Sequence, residues 1–164
     1  MAKKTTKKNN LITNGTTIAQ NRRAKFDYQI EETYEAGIVL TGSEVKSLRE
    51  GKASIAEAYV AVNNDGNLQL INASIEDYSN AGYSHHAPRR VRELLMHKKE
   101  IAKLWQATRA KGKTIVPMSM YFNKFGKVKV KIALAVGKTN VDKRHVIKDR
   151  DWQRDKARII RNYN

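Results

Sequence analysis

Cysteine is absent from this sequence, and so are long apolar runs. The lack of cysteine excludes a disulfide framework, a thiolate metal site and a thiol nucleophile. No stretch approaches the roughly 20 consecutive apolar residues of a membrane-spanning helix, and the polar N-terminus has no apolar signal-peptide region. We therefore expect a cytoplasmic protein that does not enter a membrane.

Acidic residues are scarce. The 164 residues include 16 Asp and Glu against 32 Lys and Arg, for a net charge of +16. Residues 1–25 contain seven cations and no acid, and residues 138–164 contain nine cations and four acids. We predict a disordered basic arm over residues 1–20, a body over 21–137 and a basic tail over 138–164. Two basic ends indicate a polyanionic partner, most often nucleic acid.

Recognisable catalytic arrangements are also missing. The sequence has no Ser/His/Asp order, no glycine-rich phosphate loop and no set of metal ligands. His85 and His86 are adjacent, which is poor geometry for two ligands of one metal ion. Glu31 and Glu32 would point to opposite faces of a strand and so cannot act as a paired acid and base. We therefore predict a protein that is not an enzyme and uses no metal or cofactor.

The chain does contain alternating apolar and polar residues, which is the pattern of half-buried strands. The alternation begins at Phe26, Tyr28 and Ile30, and Gly37 precedes a second apolar run. A glycine within a strand suggests a bend, which a small closed barrel needs at its corners. Two hairpins are predicted farther along, joining residues 58–62 to 67–71 across the turn 63–66, and residues 114–122 to 127–136 across the turn 123–126.

The last predicted strand has two different faces. Its residues alternate between an apolar and a basic set, with Val128, Val130, Ile132 and Leu134 in the first and Lys127, Lys129 and Lys131 in the second. The apolar face is therefore expected in the core, while the other presents three aligned ammonium groups.

Two helices are predicted within the body. Thr41 and Glu44 have capping-box spacing, and Gly51 would end that short helix. A longer helix is expected between Pro88 and Gly112, with an apolar face formed by Val91, Leu94, Leu95, Ile101, Leu104 and Trp105. These elements favour a mainly β fold with two to three helices, arranged as a small closed antiparallel barrel of the oligonucleotide-binding (OB) type.

The arginines of the tail are spaced as on one face of a helix, but the tail has few apolar residues to pack against the body. Arg150, Arg154, Arg158 and Arg161 follow i, i+4, i+8 and i+11 and would share one helix face. The few apolar residues of the tail do not form the wide stripe of a core helix. We expect it to be disordered in the free protein and to become helical on a polyanionic partner. The alternative is an ordinary solvated terminal helix.

Several stretches resemble one known family. They are NRRAKFDYQIEETYEAGIVLTGSEVKSLREGKASI, PRRVRELLMHKKEI, VKVKIALAVGK and DKRHVIKDRDWQRDKARI, spread over roughly residues 21–160. Through them the sequence is similar to the SsrA-binding protein (small protein B) family. The resemblance implies an OB-type barrel that binds the tRNA-like end of transfer-messenger RNA (SsrA RNA), with no catalytic activity. It also implies a tail that enters the vacant decoding centre and mRNA channel of a stalled ribosome, enabling trans-translation.

The resemblance also implies functional positions. Asn21, Glu35 and Leu95 match residues of the family's RNA-binding surface. With the neighbouring cations, the expected RNA-binding set is Asn21, Arg22, Arg23, Lys25, Glu35, Lys46, Arg49, Leu95, Lys127, Lys129 and Lys131. The expected ribosome-binding set in the tail is Gly137, Asp142, Lys143, Arg144, Lys148, Arg150, Trp152, Arg154, Lys156, Arg158, Ile159 and Ile160. The chain departs from the family at Val141, where a histidine or an aromatic residue is common.

The expected partners are transfer-messenger RNA, the small ribosomal subunit with its ribosomal RNA and, indirectly, elongation factor Tu. The protein itself is expected to be a monomer. The alternatives are a structural ribosomal protein, whose basic tails would be buried permanently in ribosomal RNA, and a generic OB-fold translation factor.

Overall fold

The computed structural model describes residues 11–162, which form nine strands and four helices. In chain order they are β1 (Thr17–Gln20), α1 (Ala24–Asp27), β2 (Tyr28–Ile38), α2 (Gly42–Arg49), β3 (Ala53–Ser54), β4 (Tyr59–Val62), β5 (Leu68–Ile71), β6 (Ser74–Ile75), β7 (Arg92–Leu95), α3 (Lys98–Thr108), β8 (Lys113–Phe122), β9 (Val128–Gly137) and α4 (Asn140–Asn162). The fold is therefore mainly β, with more helices than the two to three predicted.

Seven of the strands form one antiparallel sheet in the order β1-β8-β4-β5-β7-β2-β9, and β8 also pairs with β9. The pairings therefore lead from β8 through β4, β5, β7, β2 and β9 back to β8. The register of β2 on β9 runs from Tyr28 opposite Gly137 to Gly37 opposite Lys129. Strands β3 and β6 form a separate two-stranded sheet.

Both predicted hairpins are confirmed, and their turns use the same chemistry. In the β4–β5 turn, the Asn63 side-chain oxygen accepts the N–H groups of Asp65 and Asn67. The Asn123 side chain does the same in the β8–β9 turn. Each turn ends on a glycine with positive φ, +81° for Gly66 and +79° for Gly126, a conformation that glycine adopts without strain.

The short helix is also confirmed. Thr41 and Glu44 form the predicted capping box at the start of α2, which satisfies backbone donors left free by the first turn. Gly51, with φ +75°, follows the C-terminal end. Leu48 is fully buried against the core, so this helix is fixed to the sheet through its apolar face.

The prediction of a helix between Pro88 and Gly112 is wrong for the first half of that range. Residues Arg92–Leu95 form strand β7, and helix α3 begins only at Lys98. Within β7 the side chains of Arg92 and Leu94 are buried while Glu93 and Leu95 are exposed, which is the two-residue period of a strand. Because Arg92 is charged, its burial was not expected, and the two-residue alternation of this strand was not recognised in the sequence. Of the predicted apolar face, Val91, Leu95 and Trp105 are exposed.

Two boundaries near the N-terminus also differ from the prediction. Phe26 lies in α1, and the strand begins at Tyr28. The predicted arm extended to residue 20, but Thr17–Gln20 form β1 and pair with β8, because an edge of β8 is free to accept another strand. The part of the arm over residues 1–10 lies outside the described residues.

The buried ion group at the base of β7 is the largest departure from an apolar core. The side chains of Glu44 and Arg92 are both 0% exposed and lie 2.8 Å apart, and Arg90 reaches the same carboxylate at 2.6 Å. Burial by itself would raise the pKa of Glu44, but the hydrogen bonds from Arg90 and the Thr41 N–H, with the charge of Arg92, lower it to about 2. Arg92 also donates to the carbonyl oxygens of residues 73, 88 and 90, so the ion group fixes the loop that precedes β7.

Candidate nucleic-acid interface

A basic groove of about 560 Å³ lies where α1 meets β2, β8 and β9. Asn21, Arg22, Lys25, Lys131 and Lys138 are among its lining residues. The structure thus brings together four members of the predicted RNA-binding set, which the chain separates by up to 110 positions, and adds one cation from the start of the tail.

Asn21 and Arg23 have local structural contacts at this groove. Asn21 is 8% exposed, and its side-chain oxygen accepts the N–H of Ala24 at 3.2 Å. Its own N–H donates to the carbonyl of Met118 on β8 at 2.9 Å. Asn21 therefore holds α1 against the sheet, while Arg23 is exposed and lies 3.7 Å from Asp27.

Lys127, directly before β9, together with Lys129 and Lys131 within it (the β9 lysines), extends the basic surface along the outside of the sheet. Val128, Val130 and Ile132 are buried, while Lys127 and Lys131 are exposed. Lys131 lies opposite Glu35 on β2 and opposite Ser119 on β8. The two-faced strand predicted from the sequence is confirmed.

Glu35 lies within this lysine surface and has two partners. It accepts a hydrogen bond from the Tyr121 hydroxyl, and its carboxylate is 3.9 Å from the Lys129 ammonium. Burial, and then the hydrogen bond to Glu35, raise the pKa of Tyr121 to about 12, so the hydroxyl stays a donor at neutral pH. Sequence reasoning missed Tyr121, because its approach depends on the register of β2, β9 and β8.

Leu95 lies beside the same surface and is 55% exposed. It pairs with Gly37 across β2 and β7, and a Cβ at Gly37 would lie 3.3 Å from the Leu95 Cβ. The missing side chain at Gly37 therefore leaves room for Leu95. Gly37, Leu95, Lys127 and Lys129 line one groove of about 420 Å³, so an apolar side chain and two predicted cations share a surface.

The two predicted cations of α2 differ in their surroundings. Arg49 lies over the Phe122 ring at 3.7 Å and donates to the carbonyl of Ile12 at 2.8 Å. Its guanidinium therefore fastens the segment before β1 to the body. Lys46 is exposed, with its ammonium 5.7 Å from the centre of the Tyr78 ring.

Helix α4 extends from the body with no buried residue along its 23 positions. The predicted arginine face lies on this helix, and Arg150, Arg154, Arg158 and Arg161 are all exposed. The other predicted tail residues that are exposed are Gly137, Asp142, Arg144, Lys148, Trp152, Lys156, Ile159 and Ile160.

The base of α4 has specific contacts that sequence reasoning missed. Thr139 and Asp142 cap the helix, with the Thr139 N–H and hydroxyl donating to the Asp142 carboxylate at 3.0 and 2.6 Å. These hydrogen bonds, the side-chain bond first, lower the pKa of Asp142. The signal was present, since Thr139 and Asp142 are three residues apart, as capping partners are.

Helix α1 forms the other part of this attachment. The Lys143 ammonium lies 3.4 Å from the Asp27 carboxylate, and the Lys138 N–H donates to the Asp27 carbonyl at 2.9 Å. The guanidinium of Arg150 lies 5.9 Å from the centre of the Phe26 ring. Lys143 is therefore half-buried at the base of the tail, and every residue of α4 beyond Arg150 is exposed.

The loop that contains His85 and His86 uses both histidines for hydrogen bonds within the chain, and their side chains are not arranged as metal ligands. His85 bonds to the Asp77 carboxylate, and His86 bonds to the Ser43 hydroxyl at 2.9 Å. Across residues 11–162 no three His, Asp or Glu side chains form a group able to hold a metal ion. None of the helices in that range combines the length and apolar character needed to cross a membrane.

Comparisons with known proteins agree on one family. The family model described as SmpB protein matches residues 18–162. The SsrA-binding protein of Maricaulis maris is 55% identical over 146 residues, covering 89% of this chain and 93% of the relative. The SsrA-binding protein of Paracoccus denitrificans is 56% identical over 144 residues, covering 88% and 92%.

A solved structure agrees with the sequence comparisons. It is described as "tmRNA-SmpB: a journey to the center of the bacterial ribosome", and one of its chains is 44% identical to this protein with a TM-score of 0.63. The match covers 78% of this chain and 92% of that one. On the extent of the family match and the identity to its members, the chain belongs to the SmpB protein family.

Proposed function

We propose that this protein binds transfer-messenger RNA and, together with it, rescues stalled ribosomes by trans-translation. The observation that carries the proposal is its identity of more than half, over most of the chain, to proteins described as SsrA-binding. The basic groove and the β9 lysines supply the cations that an RNA phosphate backbone requires. The protein would act by binding alone, without catalysis, and in the cytoplasm, where ribosomes work.

We further propose that the sheet closes into a barrel of the OB type. In support, β8, β4, β5, β7, β2 and β9 each pair with two neighbours in succession. OB-type barrels bind oligonucleotides on one face of the sheet. The exposed face of β2, β8 and β9, which carries Glu35, Lys129 and Lys131, is the corresponding surface here.

The RNA-binding role is assigned to the body, over residues 21–137. On this proposal Arg22, Lys25 and Lys131 contact phosphates in the basic groove, while Leu95 contacts a base or ribose. Glu35 would accept hydrogen bonds from base or ribose edges, because a carboxylate repels phosphate. Asn21 would act by holding α1, and Lys46 and Arg49 would contribute at the periphery.

The ribosome-binding role is assigned to the tail, over residues 138–164. Its arginine face would bind ribosomal RNA phosphates near the decoding centre and in the mRNA channel, and Trp152 would stack on a base or pack against the channel. Because α4 buries no residue, little besides its base holds it helical in the free protein. The tail is therefore proposed to be disordered when free and helical on the ribosome.

The rival function, a permanent structural ribosomal protein, is not favoured by the family comparisons. A structural component would copurify in equal amounts with salt-washed subunits, whereas a rescue factor would not. The protein is proposed to act as a monomer, with elongation factor Tu joining through the RNA.

The direct test is recovery of the full-length protein from lysate and sequencing of the RNA bound to it. Transfer-messenger RNA should be the most enriched species. The logarithm of the affinity should fall against the logarithm of salt concentration with a slope of roughly −0.7 to −0.9 per neutralised phosphate. Enrichment of ribosomal RNA alone would overturn the proposal and favour the rival.

A further inference from the structure

A second groove of about 450 Å³ lies between α3, β7 and the β4–β5 turn. Its lining includes the apolar residues Leu68, Leu94 and Ile101 and the indole of Trp105. The sequence pattern placed Trp105 in the core, but it is 47% exposed. A large aromatic side chain therefore forms one side of an open groove.

The polar groups around this groove are of two kinds. The carboxylate-bearing residues Asp65 and Glu93 line it, and so does Lys98. Arg109 lies on the Trp105 ring at 4.2 Å and is not a lining residue. Lys98 and Trp105 are seven residues apart and lie on one side of α3, and Arg109 directly follows the last residue of the helix. Cations thus flank the indole, and hydrogen-bond acceptors lie within the groove.

This combination fits an unpaired nucleobase. An aromatic side chain offers a stacking surface to one face of any base, and apolar groups can pack against the other face of that base. A carboxylate can accept the N–H groups of a base edge, although it repels a phosphate. Flanking cations can neutralise the phosphates on either side. An apolar peptide would gain nothing from the two carboxylates, whereas a base edge would donate hydrogen bonds to them. The lining carries two acids and one lysine, so the case for RNA rests on the aromatic stacking surface and on the neighbouring basic surface.

The groove is also continuous with the proposed RNA-binding surface. Leu95 lines this groove and the neighbouring one that contains Lys127 and Lys129. An RNA strand that follows the β9 lysines and crosses Leu95 would reach Trp105 next. We propose that an unpaired base of the bound RNA enters the groove and stacks on Trp105, with adjoining phosphates on Lys98 and Arg109. This inference rests on the proposed function.

The first test compares affinities for the tRNA-like domain of transfer-messenger RNA. Trp105→Ala should weaken binding about tenfold, the effect of losing one base–aromatic stack, while Trp105→Phe should retain most of the affinity. Tyr83→Ala is the matched control, because Tyr83 is a fully exposed aromatic residue that does not line this groove. Thermal unfolding of each variant identifies any loss due to misfolding, and Trp105→Phe keeps the test valid if Trp105→Ala fails to fold.

The second test reports stacking directly. The chain contains two tryptophans, so in Trp152→Phe protein the tryptophan fluorescence, excited selectively over the tyrosines, comes from Trp105 alone. Adding the tRNA-like domain should quench it, with a midpoint at the dissociation constant. If wild-type protein binds this RNA but Trp105→Ala binds equally well and no quenching occurs, the inference fails and a protein partner becomes the better occupant. If wild-type protein does not bind the RNA, the proposed function fails instead. A loss that Trp105→Phe does not restore, without quenching, would show a structural role and also overturn the inference.

Discussion

Arg92 in the body and Arg154 in the tail are the same residue type in opposite surroundings. Arg92 is fully buried, pairs with Glu44 and binds three backbone carbonyls, whereas Arg154 lies on a helix with no buried residue. The charge of Arg92 is therefore part of the architecture, whereas the charge of Arg154 is available to a partner. This difference predicts that replacing the buried cation will lower stability, whereas replacing exposed cations will change function and leave stability nearly unaffected.

The largest expected effect comes from removing the tail. A protein ending at Gly137 should keep its affinity for transfer-messenger RNA near that of the full-length protein, because all of the candidate RNA surface except Lys138 lies within the body. Tagging of peptides on stalled ribosomes should stop, because the exposed arginine face is lost. The measurement is tagged peptide produced in a reconstituted stalled translation reaction.

Alanine at Asp142, Lys143 and Arg144 should have the same effect as truncation. Alanine at Asp149, Asp151 and Gln153 is the matched control, with three exposed positions of the same helix, and should leave tagging in place. Continued tagging by the truncated protein would mean that α4 is only a solvated charged helix.

The next effect is on stability. Arg92→Ala should lower the free energy of unfolding by about 3–5 kcal/mol, because it leaves the Glu44 carboxylate buried with one partner fewer. Arg90→Ala should have a smaller effect, since the Arg90 side chain is 31% exposed and water can replace part of its contact. Urea unfolding measures both. Equal effects of the two variants would show that burial of Arg92 is not what makes it important.

The same ion group should make the body sensitive to acid. The pKa of Glu44 is lowered from 4.5 to about 2 in the folded protein, so its contribution is present above pH 4.5 and is lost as the pH falls toward 2. That contribution is about 3 kcal/mol, on the order of 1.4 kcal/mol per pKa unit. Glu44→Gln should be less stable at pH 7 and should lose this part of the acid dependence. Unfolding free energies measured from pH 6 to pH 2 would test it.

Glu35→Ala should weaken RNA binding about tenfold, as expected for the loss of a hydrogen bond to a charged group. The direction is informative, because removing a negative charge from a basic surface should otherwise strengthen binding. Glu31→Ala is the control, since Glu31 pairs with Lys113 at 2.8 Å on another part of the sheet. Unchanged or tighter binding by Glu35→Ala would make Glu35 an ordinary solvated strand residue.

The smallest effect is expected where the body meets the tail. Asp27→Asn removes the partner of Lys143 and should destabilise the first turn of α4 by less than about 1 kcal/mol, because both side chains are about 30% exposed and water weakens their attraction. Amide hydrogen exchange of residues 140–146 should become faster. Asp155→Asn, which removes an ion pair near the far end of α4, should leave exchange in those residues unchanged.

The sequence predicted those parts of the fold whose signals are local. The two hairpins and α2 are specified by asparagine–glycine turns and a capping box, which act over a few residues. Strand β7 was missed because one of its two buried residues is Arg92, whose burial depends on Glu44 some 48 positions earlier. No local pattern reveals such a pair.

The same limit applies to the candidate site. The β9 lysines follow from simple alternation, and Asn21, Glu35 and Leu95 came from family resemblance. Tyr121 reaches Glu35 from 86 positions away, a contact that only the register of three strands creates. Trp105 was assigned to the core because it was grouped on one apolar helix face with Leu94 and Leu95. Those two residues lie in strand β7, so they do not define the buried face of α3.

The attachment of α4 has a mechanical consequence. A helix of 23 residues is about 35 Å long at 1.5 Å per residue, so a turn of about 10° at its base moves its far end by about 6 Å. That displacement is comparable to the spacing of neighbouring phosphates along a strand. On the ribosome, where the tail is proposed to be helical, the short contacts of Lys138 and Lys143 with α1 would therefore act as a hinge. Small changes there would alter which phosphates the distal arginines reach.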